Sequence, residues 1–175
     1  DVIWVPTAQR AVERMLALAK LGPEDYLIDL GSGDGRIVIA AAKHGARGLG
    51  VDLNPEMVKL SQQRALQAGV SDRAKFQVRD IFDTDLAPAS VVTLYLLPEL
   101  NLRLRPRLLA LAPGTRVVAN AFDMGEWEAD VFDTETASAL RLWIVPAQVA
   151  GHWRWELRID GQPRRFLLEM NQQFQ

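Results

Sequence analysis

The segment Asp29-Leu30-Gly31-Ser32-Gly33-Asp34-Gly35 constrains this chain more than any other. It follows a short apolar run, Tyr26 to Leu30, which reads as a buried strand. It precedes Arg36 to Lys43, which reads as a buried helix. Closely spaced glycines between a strand and a helix let the backbone turn sharply and let a ligand approach it closely. In an open α/β sheet, ligands bind at that carboxyl edge, near the point where strand order reverses. A second acid, Asp52, ends the next apolar run about twenty positions after Gly31, where a carboxylate can accept from both hydroxyls of a ribose.

The rest of the chain fits that frame. Val12, Met15, Leu16 and Ala19 repeat at helical spacing, so a first helix is expected over about 7–20. Asn54-Pro55-Glu56 is a helix start, with a capping side chain, an early proline and an acid facing the dipole. That helix should end near Ala68. Further strands are expected at 75–79, 91–96 and 115–121, with a helix from Pro98 to about Leu111. Strands alternating with helices imply a parallel sheet covered on both faces. After Phe122 the rhythm breaks. Residues 124–139 show no clean period and read as loop or irregular helix. Leu140 to Val145 reads as a strand. Trp153, Trp155, Leu157 and Ile159 alternate with polar residues, as in a half-buried strand, and Asp160-Gly161 marks a hairpin. This last third is expected to be antiparallel and attached to the same sheet.

Composition narrows the chemistry. At 175 residues the chain fits a single domain, with 1–21 as N-terminal lid and helix, 22–123 as ligand-binding core and 124–175 as an antiparallel part. It has no cysteine, which excludes disulfides, thiolate metal sites and a cysteine nucleophile. Two histidines, His44 and His152, are too few for a histidine-rich metal centre, and no metal is expected. A formal net charge of -2 gives no electrostatic drive toward nucleic acid or a membrane, and no nucleic-acid partner is expected. No apolar run reaches the ~18 residues of a membrane span. The chain begins at Asp1 rather than methionine. A cytoplasmic location is expected, with export or organelle import left open. Oligomeric state cannot be read.

The loop acids select among nucleoside ligands. A dinucleotide fingerprint requires glycine where Arg36 stands, and a pyrophosphate wants positive potential that Asp29 and Asp34 oppose. A ligand bearing an ammonium and a sulfonium, such as S-adenosylmethionine, suits them better. Asp80 and Ile81, at the end of the third expected strand, lie where an adenine would sit. Leu53 could pack on the adenine face.

With these residues the chain resembles class I, seven-strand S-adenosylmethionine-dependent methyltransferases over about residues 22–123. The carrying motifs are Asp29 to Gly35, Gly50-Val51-Asp52 and Asp80-Ile81-Phe82. The resemblance implies a Rossmann-like α/β fold of sheet order 3-2-1-4-5-7-6 with the last strand antiparallel. It also implies S-adenosyl-L-methionine as cofactor, S-adenosyl-L-homocysteine as product, and ligand roles for Gly31, Gly33, Asp52 and Asp80. Asp29, Ser32, Asp34, Gly35, Leu53, Ile81 and Thr7 complete the expected cofactor set. Val5-Pro6-Thr7, the run from Asp29 to Ala42 and Tyr95-Leu96-Leu97-Pro98-Glu99 are similar to the family of lysine methyltransferases of the mitochondrial ATP synthase c-subunit and the ADP/ATP carrier, in its small prokaryotic members. This implies methyl transfer to an amine, most simply a protein lysine. A small-molecule amine or phenol, or a module that binds cofactor without catalysis, are the alternatives. Tyr95, Pro98 and Glu99 are the candidates for positioning the acceptor. Trp4, Asn120 and Phe122 are the candidates for binding it.

Overall fold

The computed structural model describes residues 6–174. These described residues form four helices and nine strands in chain order. They are α1 (Gln9–Leu18), β1 (Tyr26–Leu30), α2 (Arg36–Lys43), β2 (Arg47–Asp52), α3 (Pro55–Gln67), β3 (Ala74–Val78), β4 (Val91–Leu94), α4 (Pro98–Leu109), β5 (Arg116–Asn120), β6 (Val131–Asp133), β7 (Leu140–Ile144), β8 (Gly151–Ile159) and β9 (Gln162–Met170). The larger sheet has order β3-β2-β1-β4-β5-β7-β6. Strands β1 to β5 pair in parallel and β7 runs antiparallel to both neighbours. This is the sheet order that the resemblance to class I methyltransferases implies.

The two faces of the sheet build two apolar layers. One gathers Val12, Met15 and Leu16 of α1 with the fully apolar stretch Ile37–Ala42 of α2. The other gathers Leu104 and Leu108 of α4 with Val92, Leu94, Trp127 and Trp143. β1 and β4 are buried almost throughout, which is why they read as continuous apolar runs. Because β1 lies between β2 and β4, chain connections leave it in opposite directions, and the crevice opens at its carboxyl end.

Three expectations are corrected. First, residues 124–139 contain β6, three residues pairing the edge of β7, and an isolated bridge between Met124 and Trp127. So short an edge strand carries no alternation to read. Second, β8 and β9 form their own two-stranded sheet and, among the described residues, pair with no strand of the larger one. Third, Trp153, Trp155, Leu157 and Ile159 are exposed rather than half-buried. Alternation marks two unlike faces and does not say what covers the apolar one. Strand ends also move: β4 stops at Leu94, so Tyr95 and Leu96 belong to the loop that leads into α4.

Candidate active site

A cavity of about 860 Å³ opens at the carboxyl edge of the sheet. The glycine loop forms its floor. The amides of Gly31 and Ser32 both donate to the Val51 carbonyl (2.9 Å each), tying the loop to β2. Gly31 adopts φ +80, and a Cβ there would stand 2.9 Å from Leu96. Gly35 adopts φ +78 as the residue before α2, and a Cβ there would meet the Phe76 ring at 2.7 Å. Only glycine fits both the turn and the space.

The acids divide by what they touch. Asp52 is half-buried at the end of β2. Its Oδ2 accepts from the Gly33 amide (2.8 Å) and its Oδ1 from the Asn54 amide (2.9 Å). Two backbone donors thus fix the carboxylate at the cavity wall. Asp29 is buried under the loop, and its Oδ1 accepts from the Thr93 hydroxyl (2.7 Å). Burial pushes its carboxyl up to about 7; the Thr93 bond opposes that rise, and the nearby charges of Asp52 and Asp34 add to it. Asp34 is also buried but fully engaged, by Arg36 (2.6 Å) and by Arg64 of α3. Burial alone would raise its pKa; the two guanidiniums outweigh that and hold it below the ordinary value. Arg36 also donates to the Thr7 carbonyl (2.6 Å), so one side chain fastens the segment before α1 onto the glycine loop. Asp80 lies beyond β3, where its Oδ1 accepts from the Phe82 amide (2.8 Å).

At the other end the walls are apolar. Tyr95, Leu96, Leu97 and Leu100 come from the loop after β4 and the first turn of α4, and Phe122 from the loop after β5. The Tyr95 and Phe122 rings stack with centroids 6.5 Å apart.

Of the expected site residues, Thr7, Asp29, Gly31, Ser32, Asp34, Asp52, Leu53, Asp80, Ile81, Tyr95 and Phe122 line this one cavity. Gly33 and Gly35 act from beneath it, through the amide on Asp52 and the turn into α2. Pro98 and Glu99 are exposed in the first turn of α4, and neither is among the cavity's lining residues. Asn120, expected to bind the acceptor, is buried at the end of β5, is not among the cavity's lining residues, and accepts from the Ser138 hydroxyl (2.5 Å). Trp4 lies outside the described residues. Arg36, Asn54, Met57 and Leu100 also line the cavity and were not anticipated. The helix starts at Asn54 and Pro98 carry a legible signal, since a helix that follows a parallel strand begins at the ligand edge.

The fit to a nucleoside sulfonium rests on the glycine loop and its acids. A Cβ on Gly31 would fill the space against Leu96 at the cavity wall, so glycine leaves the backbone open to close approach. Beside it, Asp52, held by two backbone amides, suits a diol, and the buried Asp29 suits an ammonium.

Similar proteins agree with that geometry. The ANTKMT methyltransferase domain model matches residues 29–131, from the glycine loop to β6. A protein-lysine N-methyltransferase of Saccharolobus islandicus (strain REY15A) is 40% identical over 129 residues, 72% of this chain and 80% of that protein. The ATP synthase c-subunit lysine N-methyltransferase of Mus musculus is 40% identical over 130 residues, 73% of this chain and 51% of that protein, so the chain spans about half its length. The crystal structure of an RNA methyltransferase from Salinibacter ruber with S-adenosyl-L-homocysteine superimposes with a TM-score of 0.80 at 47% identity, covering 83% of this chain and 96% of that one. Among the described residues, no helix is long and apolar enough to cross a membrane. The chain belongs to the ANTKMT methyltransferase domain family and is an S-adenosylmethionine-dependent methyltransferase.

Proposed function

We propose that the chain transfers a methyl group to the side-chain amine of a lysine in a protein. The observation that carries this reading is the division of one cavity into an acidic, amide-lined end and a neutral aromatic and aliphatic end. The names of the archaeal and mouse relatives support the same acceptor.

On this reading Asp52 takes the ribose hydroxyls, Ser32 and Asp29 face the amino-acid end, and Asp80, Ile81 and Leu53 flank the adenine. Asp34 holds the loop in shape through its two arginines. Thr7, fastened by Arg36, covers the cofactor end, in a single domain divided into an N-terminal lid and helix (1–21), a cofactor-binding core (22–123) and an antiparallel part (124–175). When bound, S-adenosylmethionine supplies a methyl group already activated by its sulfonium. The chain's own work is then positioning and exclusion of water. Apolar walls from Tyr95, Leu96, Leu97, Leu100 and Phe122 sheathe the lysine stem and disfavour the ammonium form by desolvation. The ammonium gives its proton to water before it is enclosed, and the Tyr95 hydroxyl and the Leu96 and Leu97 carbonyls accept hydrogen bonds from the remaining amine N–H groups and aim the lone pair at the methyl, the thioether leaving. No metal is needed. The cofactor is made in the cytosol, and the reaction is placed there.

The Salinibacter neighbour's description as an RNA methyltransferase makes a base amine the second acceptor class. The net charge of -2 weighs against it. Labelled methyl transfer into protein and RNA fractions of the source cell, followed by mass spectrometry, decides between them. Methyl-lysine is expected, and label confined to RNA or to small molecules overturns the reading.

A further inference from the structure

The hairpin β8–β9 lies beyond the stretch that the family model matches, so the shared methyl-transfer machinery does not account for it. Register divides it into two unlike faces. Glu156 stands opposite Arg165 and His152 opposite Glu169, and these pairs lie at 3.4 Å and 3.8 Å. That face is polar, with two such pairs across the strands, while its Arg154 and Arg158 stand opposite Leu167 and Pro163. On the other face Trp153 stands opposite Leu168, Trp155 opposite Phe166, and Leu157 and Ile159 continue toward the turn. Trp153, Trp155, Leu157 and Ile159 are 42–51% exposed. The hairpin is anchored at its base: the Trp153 indole donates to the Val149 carbonyl (2.8 Å), and Gln172 binds Ala147 and Val149.

An isolated two-stranded hairpin is marginally stable in water, and an exposed apolar face of this kind marks an interaction surface. We propose that this face docks against the same face of a second copy of the chain, forming a four-stranded sandwich across a two-fold axis. Two observations favour a copy over another partner. Trp155 and Phe166 are each the middle residue of a nine-residue strand, and their rings stack 5.5 Å apart at the centre of the face. Trp153 and Leu168 flank that centre toward the base and Leu157 and Ile159 toward the turn, so half a rotation sets apolar residues on apolar residues along β8, as an isologous interface requires. Arg164 and Gln162 stand opposite Leu157 and Ile159, and the same two-fold sets the two copies of Arg164 at opposite ends of the interface, where they do not meet.

The dimensions are adequate. Nine residues at ~3.4 Å give a face ~30 Å long. Two such faces bury about 1,000 Å² in total, which reaches the lower bound of a specific interface. A single-stranded nucleic acid would need several arginines beside the aromatic rings; Arg164 is the one on that face, while Arg154, Arg158 and Arg165 stand on the opposite one.

Sedimentation of the full chain from about 1 to 100 µM tests the proposal, a range that brackets a weak to moderate homodimer. A dimer is expected. Trp155→Glu should raise its dissociation constant ~30-fold or more, as loss of a central anchor does. Arg158→Glu, on the polar face, should leave it unchanged. Cofactor affinity and the melting of the core, measured on each variant, should match the wild type. Leu168→Lys probes the same face if the Trp155 variant misfolds. A wild-type monomer across this range, or a dimer unaffected by Trp155→Glu and Leu168→Lys, overturns the proposal. Either result leaves the proposed acceptor untouched.

Discussion

The two ends of the cavity recognise by different means. At the β1–α2 end the chain presents backbone: amides of Gly33 and Asn54 fix Asp52, and the Val51 carbonyl fixes the glycine loop. At the β4–β5 end it presents side chains, with stacked Tyr95 and Phe122 beside the leucines of the α4 entry. Backbone recognition leaves no slack, because each group is already committed to the fold. Side-chain recognition can be altered without disturbing the sheet. The first end should therefore fail through folding and cofactor affinity, and the second through acceptor selection.

The largest expected effect is that of Gly35→Ala. A methyl at φ +78 would meet the Phe76 ring at 2.7 Å and Ser61 Cβ at 2.8 Å. Strain and overpacking together should cost about 3 kcal/mol or more, measured by denaturant unfolding. A cost below about 1 kcal/mol would mean that the loop tolerates a side chain, and the contrast between the ends would collapse.

Asp52→Ala comes next. It removes an anionic acceptor that two amides hold in place, and charge-assisted hydrogen bonds contribute about 1.5–3 kcal/mol each. Cofactor affinity should fall roughly 100-fold by calorimetry, about 2.7 kcal/mol. Asp52→Asn should lose less, because the amide oxygen still accepts.

Asp29 makes this end sensitive to pH. Its carboxyl is raised to about 7 against an ordinary 3.8, so the folded protein holds a proton there that the unfolded chain releases near pH 4. Its contribution to stability therefore declines as pH rises from about 4 through 7, and recovers as pH falls. A ligand ammonium nearby reverses the preference and expels the proton. Cofactor affinity should then weaken by up to about tenfold per pH unit below 7. Asp29→Asn, which still accepts from Thr93, should flatten that profile. An unchanged slope would remove Asp29 from the cofactor's charge balance.

These assignments were not equally legible in the sequence. The glycine loop and Asp52 could be read because their geometry is local: a strand, a turn and the next strand end place them. The ion pairs of Asp34 could not, since Arg64 arrives from α3, thirty residues on, and only the packing of α3 over the loop brings it near. Asp34 reads in sequence as an available acid and in the structure as a spent one. Tyr95 and Phe122 meet because β4 and β5 are neighbours, which the alternating rhythm foretells, but rhythm does not say which ring faces the cavity. The hairpin shows the opposite case, in which the pattern is plain and the covering surface is not encoded by it.

At the end proposed for the acceptor, Phe122→Ala opens one wall without touching the loop or Asp52. It should raise KM for a lysine-bearing acceptor several-fold, about 1 kcal/mol, with cofactor affinity unchanged. A matching loss of cofactor affinity would show that the two ends are not separable.

The smallest effect concerns Glu99, named from sequence as an acceptor-positioning candidate. It is exposed in the first turn of α4 and is not among the cavity's lining residues. A carboxylate there complements the helix dipole, a contribution of about 0.3–1 kcal/mol. Glu99→Gln should lower stability by no more than that and leave kcat and KM as they are. Tyr95→Phe, assayed beside it, removes only a hydroxyl that borders the apolar end and should lower kcat modestly. If Glu99→Gln instead costs tenfold in kcat while Tyr95→Phe is silent, the amine approaches over the α4 entry rather than between the rings. The carboxylate then belongs to the acceptor end and the hydroxyl does not.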